Sequence, residues 1–149
     1  MVRLRDPMPE FDGATDWLNS RGAKRRDLIE GNKPALIHFW SISCDLCKES
    51  MPQINELRDQ LKNDLHVIAV HMPRSKKDMD LDAIKEAAKG FKITQPIFID
   101  NAHKLTNAFN VKYVPAYYVF DADGKLRHSQ SGGGGMTMLR KRLSRVLDN

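Results

Sequence analysis

Runs of consecutive apolar residues alternate along this chain with segments in which apolar residues recur every three or four positions. Apolar runs bounded by turn residues predict buried strands, whereas the spacing of three or four predicts amphipathic helices. Four runs predict strands, and a fifth strand is expected to return from a tight turn as a hairpin partner. The predicted strands cover residues 35–40, 65–70, 96–99, 116–120 and 125–129.

The helical spacing occurs four times, around residues 51–61, 81–91, 105–109 and 136–147. Asp78 or Asp80 is placed to cap the second of these helices at its start. Ahead of the first long strand the pattern is weaker. Residues 11–19 predict a small hairpin or irregular strands, and residues 27–29 predict one helical turn.

Alternating strands and helices predict an α/β fold of three layers, in which helices cover both faces of a central β-sheet. Strands joined by helical crossovers are parallel and the final hairpin is antiparallel, so the sheet is mixed. The 149 residues suit a single domain. Residues 1–10, with two prolines, are expected to form a loosely ordered arm.

The composition fits a globular protein, with 41% hydrophobic and 29% charged residues. No apolar run approaches the roughly 18 residues of a membrane span, and the N-terminus lacks the apolar core of a secretory signal. We therefore expect a cytoplasmic protein without membrane contact. The net charge of +5 is spread along solvated helix faces, which predicts no nucleic-acid binding and leaves an acidic protein partner open.

The two cysteines of the chain, Cys44 and Cys47, lie where the first long strand meets the first long helix. Unpaired N–H groups and the helix dipole stabilise a thiolate there, so the pKa of Cys44 should fall below the free value of about 8.5. Cys47, three residues on, can close a disulfide with it. This predicts that Cys44 attacks and that Cys47, deeper in the helix, resolves. The charges of Asp45 and Lys48 act on Cys44 in opposite directions.

Two other interpretations of the pair are inert buried cysteines and half of a metal site. The redox interpretation is favoured because a C-x-x-C at the start of a helix in an α/β chain is typical of redox proteins. In the cytoplasm such a disulfide is usually transient and catalytic. Apart from His38, the histidines lie far from the cysteines in sequence, and we expect surface or strand-end positions for them. These histidines are His66, His71, His103 and His128. We expect neither a metal nor a cofactor.

From about residue 11 onward the chain resembles thioredoxin-fold proteins, in particular the TlpA/ResA-like branch of thiol-disulfide oxidoreductases. The resemblance rests on Trp40, the two cysteines with Pro52 behind them, a later Val-Pro before a strand, and Asp-Gly after that strand. Residues 78–110 resemble the strand-helix unit that this branch adds. Four positions depart from the usual family residues: Ser43, Leu46, Ser50 and Ala116 replace an aromatic residue, Pro, Glu and Thr, respectively.

The resemblance also implies roles for individual residues. Cys44 would be the nucleophile and Cys47 the resolving thiol. Pro115 would be a cis-proline beside the disulfide, and it would bind substrate together with Trp40 and the free carbonyl of Val114. Pro52 would kink the first long helix.

His38 has two interpretations. It lies where thioredoxins place a buried acid under the second cysteine. It would then accept the Cys47 proton, replacing the missing Glu, or serve only as a packed core histidine.

The function predicted on this basis is thiol-disulfide exchange with protein substrates through a mixed disulfide on Cys44. In the cytoplasm we expect a monomeric reductase, reset by a thiol system such as thioredoxin and thioredoxin reductase. One alternative is a thiol peroxidase, although residues 37–44 lack the Pro and Thr that precede a peroxidatic cysteine. The other is a non-catalytic thioredoxin-like binding module, or a dimer that shares a metal between two such pairs.

Overall fold

A six-stranded mixed sheet forms the centre of the molecule, in the order β1-β4-β3-β2-β5-β6. The computed structural model describes residues 2–29 and 32–148. Strands β2, β3 and β4 run parallel, and β1, β5 and β6 pair antiparallel with their neighbours. The strands are Asp16–Leu18, Ala35–Trp40, His66–His71, Ile97–Ile99, Ala116–Phe120 and Leu126–Ser131.

Within the part of the chain that the structure describes, five α-helices and one short 3-10 helix, Lys76–Met79, accompany the sheet. The α-helices α1 to α5 are Arg25–Ile29, Asp45–Gln60, Leu81–Gly90, Lys104–Phe109 and Met136–Leu147. Asp80, and not Asp78, caps α3, because its carboxylate accepts hydrogen bonds from the backbone of Asp82 and Ala83. The Asp78 side chain is instead buried next to Ser43.

Helices cover both faces of the sheet, as predicted. On one face, α2 and α5 bury apolar side chains against Leu36, Tyr117 and Val119. On the other face, the Phe109 ring of α4 lies 4.8 Å from the ring of Tyr118. Neighbouring strand residues point to opposite faces, so Tyr117 and Tyr118 divide β5 between the two layers.

The expectation of a loosely ordered arm over residues 1–10 is wrong for the part that the structure describes. The Arg5 amide donates to the carbonyl of Leu126 at 2.8 Å, and the Met8 amide donates to that of Gly124 at 2.9 Å. Met8 is 1% exposed. The arm is held because it pairs with backbone groups at the start of β6 and buries the side chains of Val2 and Met8.

Other elements differ from the sequence prediction in smaller ways. Residues 11–19 form no hairpin; they contribute the single strand β1, which pairs with β4. Strand β3 begins and ends one residue later than predicted, and β6 extends to Ser131. The 3-10 helix at residues 76–79 was expected to be loop and helix cap. Gly31, between α1 and β2, lies outside the described residues.

Candidate active site

The two cysteines lie at the end of β2, where the chain turns into α2. Cys44 is the N-cap residue of α2 in extended conformation, and its Sγ accepts a hydrogen bond from the Cys47 amide at 3.0 Å. The pair forms a disulfide with a Cα–Cα distance of 5.3 Å. The first turn of this 16-residue helix therefore directs its free amides and positive dipole end at Cys44.

Both sulfur-bearing side chains are buried. Cys44 is 3% exposed and Cys47 is 1% exposed, so the predicted difference in depth between the two is small. Between them Leu46 is half exposed, at 50%. Where the family usually has proline, this chain therefore places a solvent-exposed leucine beside the disulfide.

A loop of four glycines, residues 132–135, lies against that leucine. A Cβ atom added to Gly133 would come within 3.3 Å of Leu46 Cδ2. The Gly132 amide donates to the carbonyl of Pro115 at 2.8 Å. This loop is thus part of the rim of the site as well as the link from β6 to α5.

The Val114–Pro115 peptide bond is cis, as the resemblance implied. Pro115 directly precedes β5, at the sheet edge that also carries the end of β2. Within residues 2–29 and 32–148, no hydrogen bond reaches the Val114 carbonyl. That carbonyl is available to an incoming backbone, although its role in substrate binding stays a prediction.

Trp40 supports the site from inside the protein. It is the last residue of β2 and is 1% exposed, and its ring meets that of His71 edge-on at 4.9 Å. Across the described part of the chain, its indole N–H has no hydrogen-bond partner. The ring therefore offers little surface to a substrate in this state, and substrate binding by Trp40 also remains a prediction.

His38 lies on the same face of the sheet as α2, and its ring is held by Gln95, which in turn is bound by Arg58 of α2. Arg58 donates to Gln95 Oε1 at 2.8 Å, and Gln95 Nε2 lies 2.9 Å from His38 Nε2. Arginine has no acceptor, so the Gln95 oxygen must face it and the amide nitrogen donates to His38. Burial, and then the Arg58 charge, lower the His38 pKa to about 3. Such a weak base favours the packing role over proton acceptance.

His71 is closer to the reacting pair than its sequence position indicates. It ends β3 opposite Trp40, is fully buried, and accepts a hydrogen bond from the Ile42 amide at 3.1 Å. Burial lowers its pKa to about 4, against the opposing effect of the Asp78 charge. The sequence could have predicted this position of His71, because β2 and β3 are parallel and their last residues therefore meet at one sheet edge.

Ser43, in the place of the family's aromatic residue, is tied to the segment after β3. Its hydroxyl donates to Asp78 Oδ2 at 2.7 Å, and Arg74 Nε donates to the same hydroxyl at 3.0 Å. Neither Arg74 nor Asp78 was singled out as a site residue from sequence. Nothing in the local pattern links them to Cys44, because they lie some thirty residues away along the chain.

Ser50 occupies the position of the family's Glu and is buried. Its hydroxyl bonds to Tyr117, which opposes the rise in the Tyr117 pKa that burial causes.

Within the described residues, no group of three or more His, Cys, Asp or Glu side chains could hold a metal ion. No α-helix in the same part of the chain has the length and apolar character needed to cross a membrane.

Comparison with known proteins gives a consistent result. A model of the AhpC/TSA family matches residues 4–129. The thiol-disulfide oxidoreductase YkuV of Bacillus subtilis is 60% identical over 146 residues, which cover 98% of this chain and 97% of YkuV. The thiol-disulfide oxidoreductase ResA of Geobacillus kaustophilus is 28% identical over 118 residues, 78% of this chain and 63% of ResA.

A solved structure of an oxidized thioredoxin-like protein matches nearly the whole chain. Its TM-score is 0.89 at 58% identity, with 99% of this chain and 98% of that one covered. A thiol:disulfide interchange protein DsbE from Chlorobium tepidum has a TM-score of 0.85 at 18% identity, covering 99% of each chain, which concerns the fold alone. These matches confirm the thioredoxin-like fold that the resemblance implied.

Proposed function

Because the chain belongs to the AhpC/TSA family of thioredoxin-like proteins, we propose that it is a thiol-disulfide oxidoreductase whose reacting groups are Cys44 and Cys47. One observation carries the proposal. Cys44 Sγ sits at the N-cap of α2 and accepts the Cys47 amide hydrogen at 3.0 Å. The same donors and dipole that meet this sulfur in the disulfide would stabilise a Cys44 thiolate after reduction.

The proposed reaction transfers two electrons from the dithiol to a substrate disulfide. The Cys44 thiolate attacks one sulfur of the substrate disulfide, forms a mixed disulfide, and releases the other substrate sulfur as a thiolate that takes up a proton. Cys47 then loses its proton and attacks Cys44 Sγ. The Cys44–Cys47 disulfide forms, and the second substrate sulfur leaves as a thiolate.

We propose that substrates are protein disulfides that approach along the cis-proline segment. Support comes from the Val114 carbonyl, which no described residue engages, and from Pro115, which precedes β5 at the same sheet edge as the end of β2. An extended substrate backbone could donate to that carbonyl. Trp40 would contribute from beneath, by packing under the turn that carries Cys44.

We further propose that the protein works as a reductase in a reducing compartment such as the cytoplasm. In that setting both cysteines of a two-cysteine chain serve catalysis. A reducing thiol system such as thioredoxin and thioredoxin reductase would return the disulfide to the dithiol. A monomer suffices, since the reacting pair and the residues around it come from one chain.

The reduction potential of the Cys44–Cys47 couple tests this proposal. The protein is equilibrated with defined ratios of thiol and disulfide, and the oxidised fraction is counted after acid quenching and alkylation. We expect a potential near or below the cytosolic glutathione poise, roughly −220 to −320 mV. A value far above that range would contradict a reductase, and failure to form the disulfide at all would contradict the whole proposal.

A further inference from the structure

Three side chains outside the reacting pair meet at the residue just before Cys44. Asp78 Oδ2 accepts hydrogen bonds from the Ser43 hydroxyl at 2.7 Å and from the Arg74 amide at 2.9 Å. The Arg74 guanidinium donates to the Ser43 hydroxyl at 3.0 Å and, through Nη2, to the Ser43 carbonyl. We call Ser43, Arg74 and Asp78 the Ser43 latch.

The direction of each hydrogen bond in the latch is fixed by chemistry. A guanidinium only donates, so the Ser43 oxygen accepts from Arg74 and its hydrogen must point to Asp78. Charged partners make such hydrogen bonds shorter and stronger than neutral ones. Asp78 is 3% exposed, whereas Arg74 is exposed. The carboxylate therefore binds Ser43 from inside the protein, and the guanidinium binds it from the solvent side.

The latch is continued by two further contacts between the same pair of segments. The Ser41 hydroxyl donates to the Met72 carbonyl, and the Ile42 amide donates to His71 Nε2 at 3.1 Å. Three successive residues ahead of Cys44 are therefore each bound to the end of β3 or the loop after it. The turn that carries the nucleophile has little freedom to move independently of this loop.

We propose that Arg74 and Asp78 are positioning residues which act through Ser43 to hold Cys44 and to set the balance between dithiol and disulfide. The inference rests on the proposed function and adds to it. Arg74 binds the carbonyl of the peptide unit that leads into Cys44, which brings a positive charge next to the N-cap position. A cation there stabilises the thiolate and hence the reduced form.

The other charged groups around Cys44 do not cancel the stabilisation of its thiolate by Arg74. On α2, Lys48 and Asp45 lie 4.0 Å apart, so their charges largely offset each other. Beneath the turn, His71 is neutral at physiological pH because burial lowers its pKa to about 4. The segment after β3 contributes Arg74 and, in the 3-10 helix, the buried Asp78, which holds the backbone of Arg74 in place.

The test is a double-mutant cycle of Arg74→Met and Asp78→Asn. In each variant the equilibrium between the Cys44–Cys47 dithiol and disulfide is measured against glutathione. Arg74→Met should shift the equilibrium with glutathione toward the disulfide by about two- to fivefold, the range for one partly exposed charge. The pH profile of Cys44 alkylation should move to higher pH. In the Asp78→Asn background the same substitution should lose at least half of its effect, since a neutral amide oxygen accepts more weakly from the Ser43 hydroxyl and the Arg74 backbone and orders the guanidinium less firmly.

Arg127→Met provides a matched control at the opposite end of the sheet. There Asp121 likewise accepts backbone amides, those of Asp123 and Lys125, and Arg127 donates to it at 3.2 Å. We expect Arg127→Met to leave the glutathione equilibrium unchanged. If Asp78→Asn does not fold, Ser43→Ala replaces it in the cycle, because it deletes the hydroxyl that both partners share.

Two results would overturn the latch while leaving the proposed function intact. One is an Arg74→Met equilibrium indistinguishable from that of Arg127→Met. The other is an undiminished Arg74→Met effect in the Asp78→Asn background. The proposed function fails separately, if the unmodified protein itself reaches no dithiol-disulfide equilibrium with glutathione.

Discussion

Replacing Cys44 by serine is expected to reduce the turnover of protein disulfides to the uncatalysed rate. A serine hydroxyl stays protonated at neutral pH and cannot form the mixed disulfide with which the reaction starts. Cys47→Ser should also lower turnover strongly, since release of the substrate from Cys44 then depends on an external thiol. Both are measured as reduction of a disulfide-containing model protein, such as insulin, with dithiothreitol as the electron donor.

The two variants differ in what they leave behind, which makes the prediction specific. Incubated as reduced protein without dithiothreitol, Cys44→Ser should consume no substrate at all, whereas Cys47→Ser should form one mixed disulfide per chain and stop. Circular dichroism and a thermal melt establish that each variant is folded. Sustained turnover by Cys44→Ser, in a folded protein, would rule out Cys44 as the nucleophile.

A fall in pH from 7.5 to 5 is expected to destabilise the protein by about 4 kcal/mol through two buried histidines. Burial lowers the pKa of His38 to about 3 and that of His71 to about 4, from 6.5 in the unfolded chain. The unfolded state therefore binds more protons below pH 6.5. Stability is fully present above that pH and is lost as pH falls toward the folded values, by about 2 kcal/mol per histidine at pH 5.

Urea unfolding of the oxidised protein at the two pH values measures this loss. His38→Gln and His71→Gln should each remove about half of the difference, because glutamine can accept the same hydrogen bond without titrating in this range. A pH dependence in either variant equal to that of the unmodified protein would contradict the assignment.

Much of the fold can be predicted from the sequence because its long elements have strong local patterns. Strand β2 is an apolar run interrupted only by His38, and α2 and α5 carry apolar residues at helical spacing. The pairing of the N-terminal arm has no such signal. Met8 reaches Gly124 across most of the chain, and that contact exists only after the β5–β6 hairpin has formed.

The reacting pair could be predicted for the same reason, since Cys44 and Cys47 are local to one junction. Their surroundings could not. Asp78 reaches Ser43, and Gln95 reaches His38, only because the parallel crossovers bring distant segments to one edge or face of the sheet. Ser43 is informative in this respect. The sequence identifies it as a departure from the family, but only the structure supplies the carboxylate that explains a hydroxyl there.

Trapping the mixed disulfide tests directly whether Cys44 is the attacking thiol. Reduced Cys47→Ser protein is incubated with a disulfide-containing model protein, and the adduct is located by peptide mass spectrometry. We expect one adduct per chain, on Cys44, that dithiothreitol releases, and no adduct from Cys44→Ser under the same conditions. Equal trapping by Cys44→Ser through Cys47, or no adduct from either variant, would contradict the mechanism.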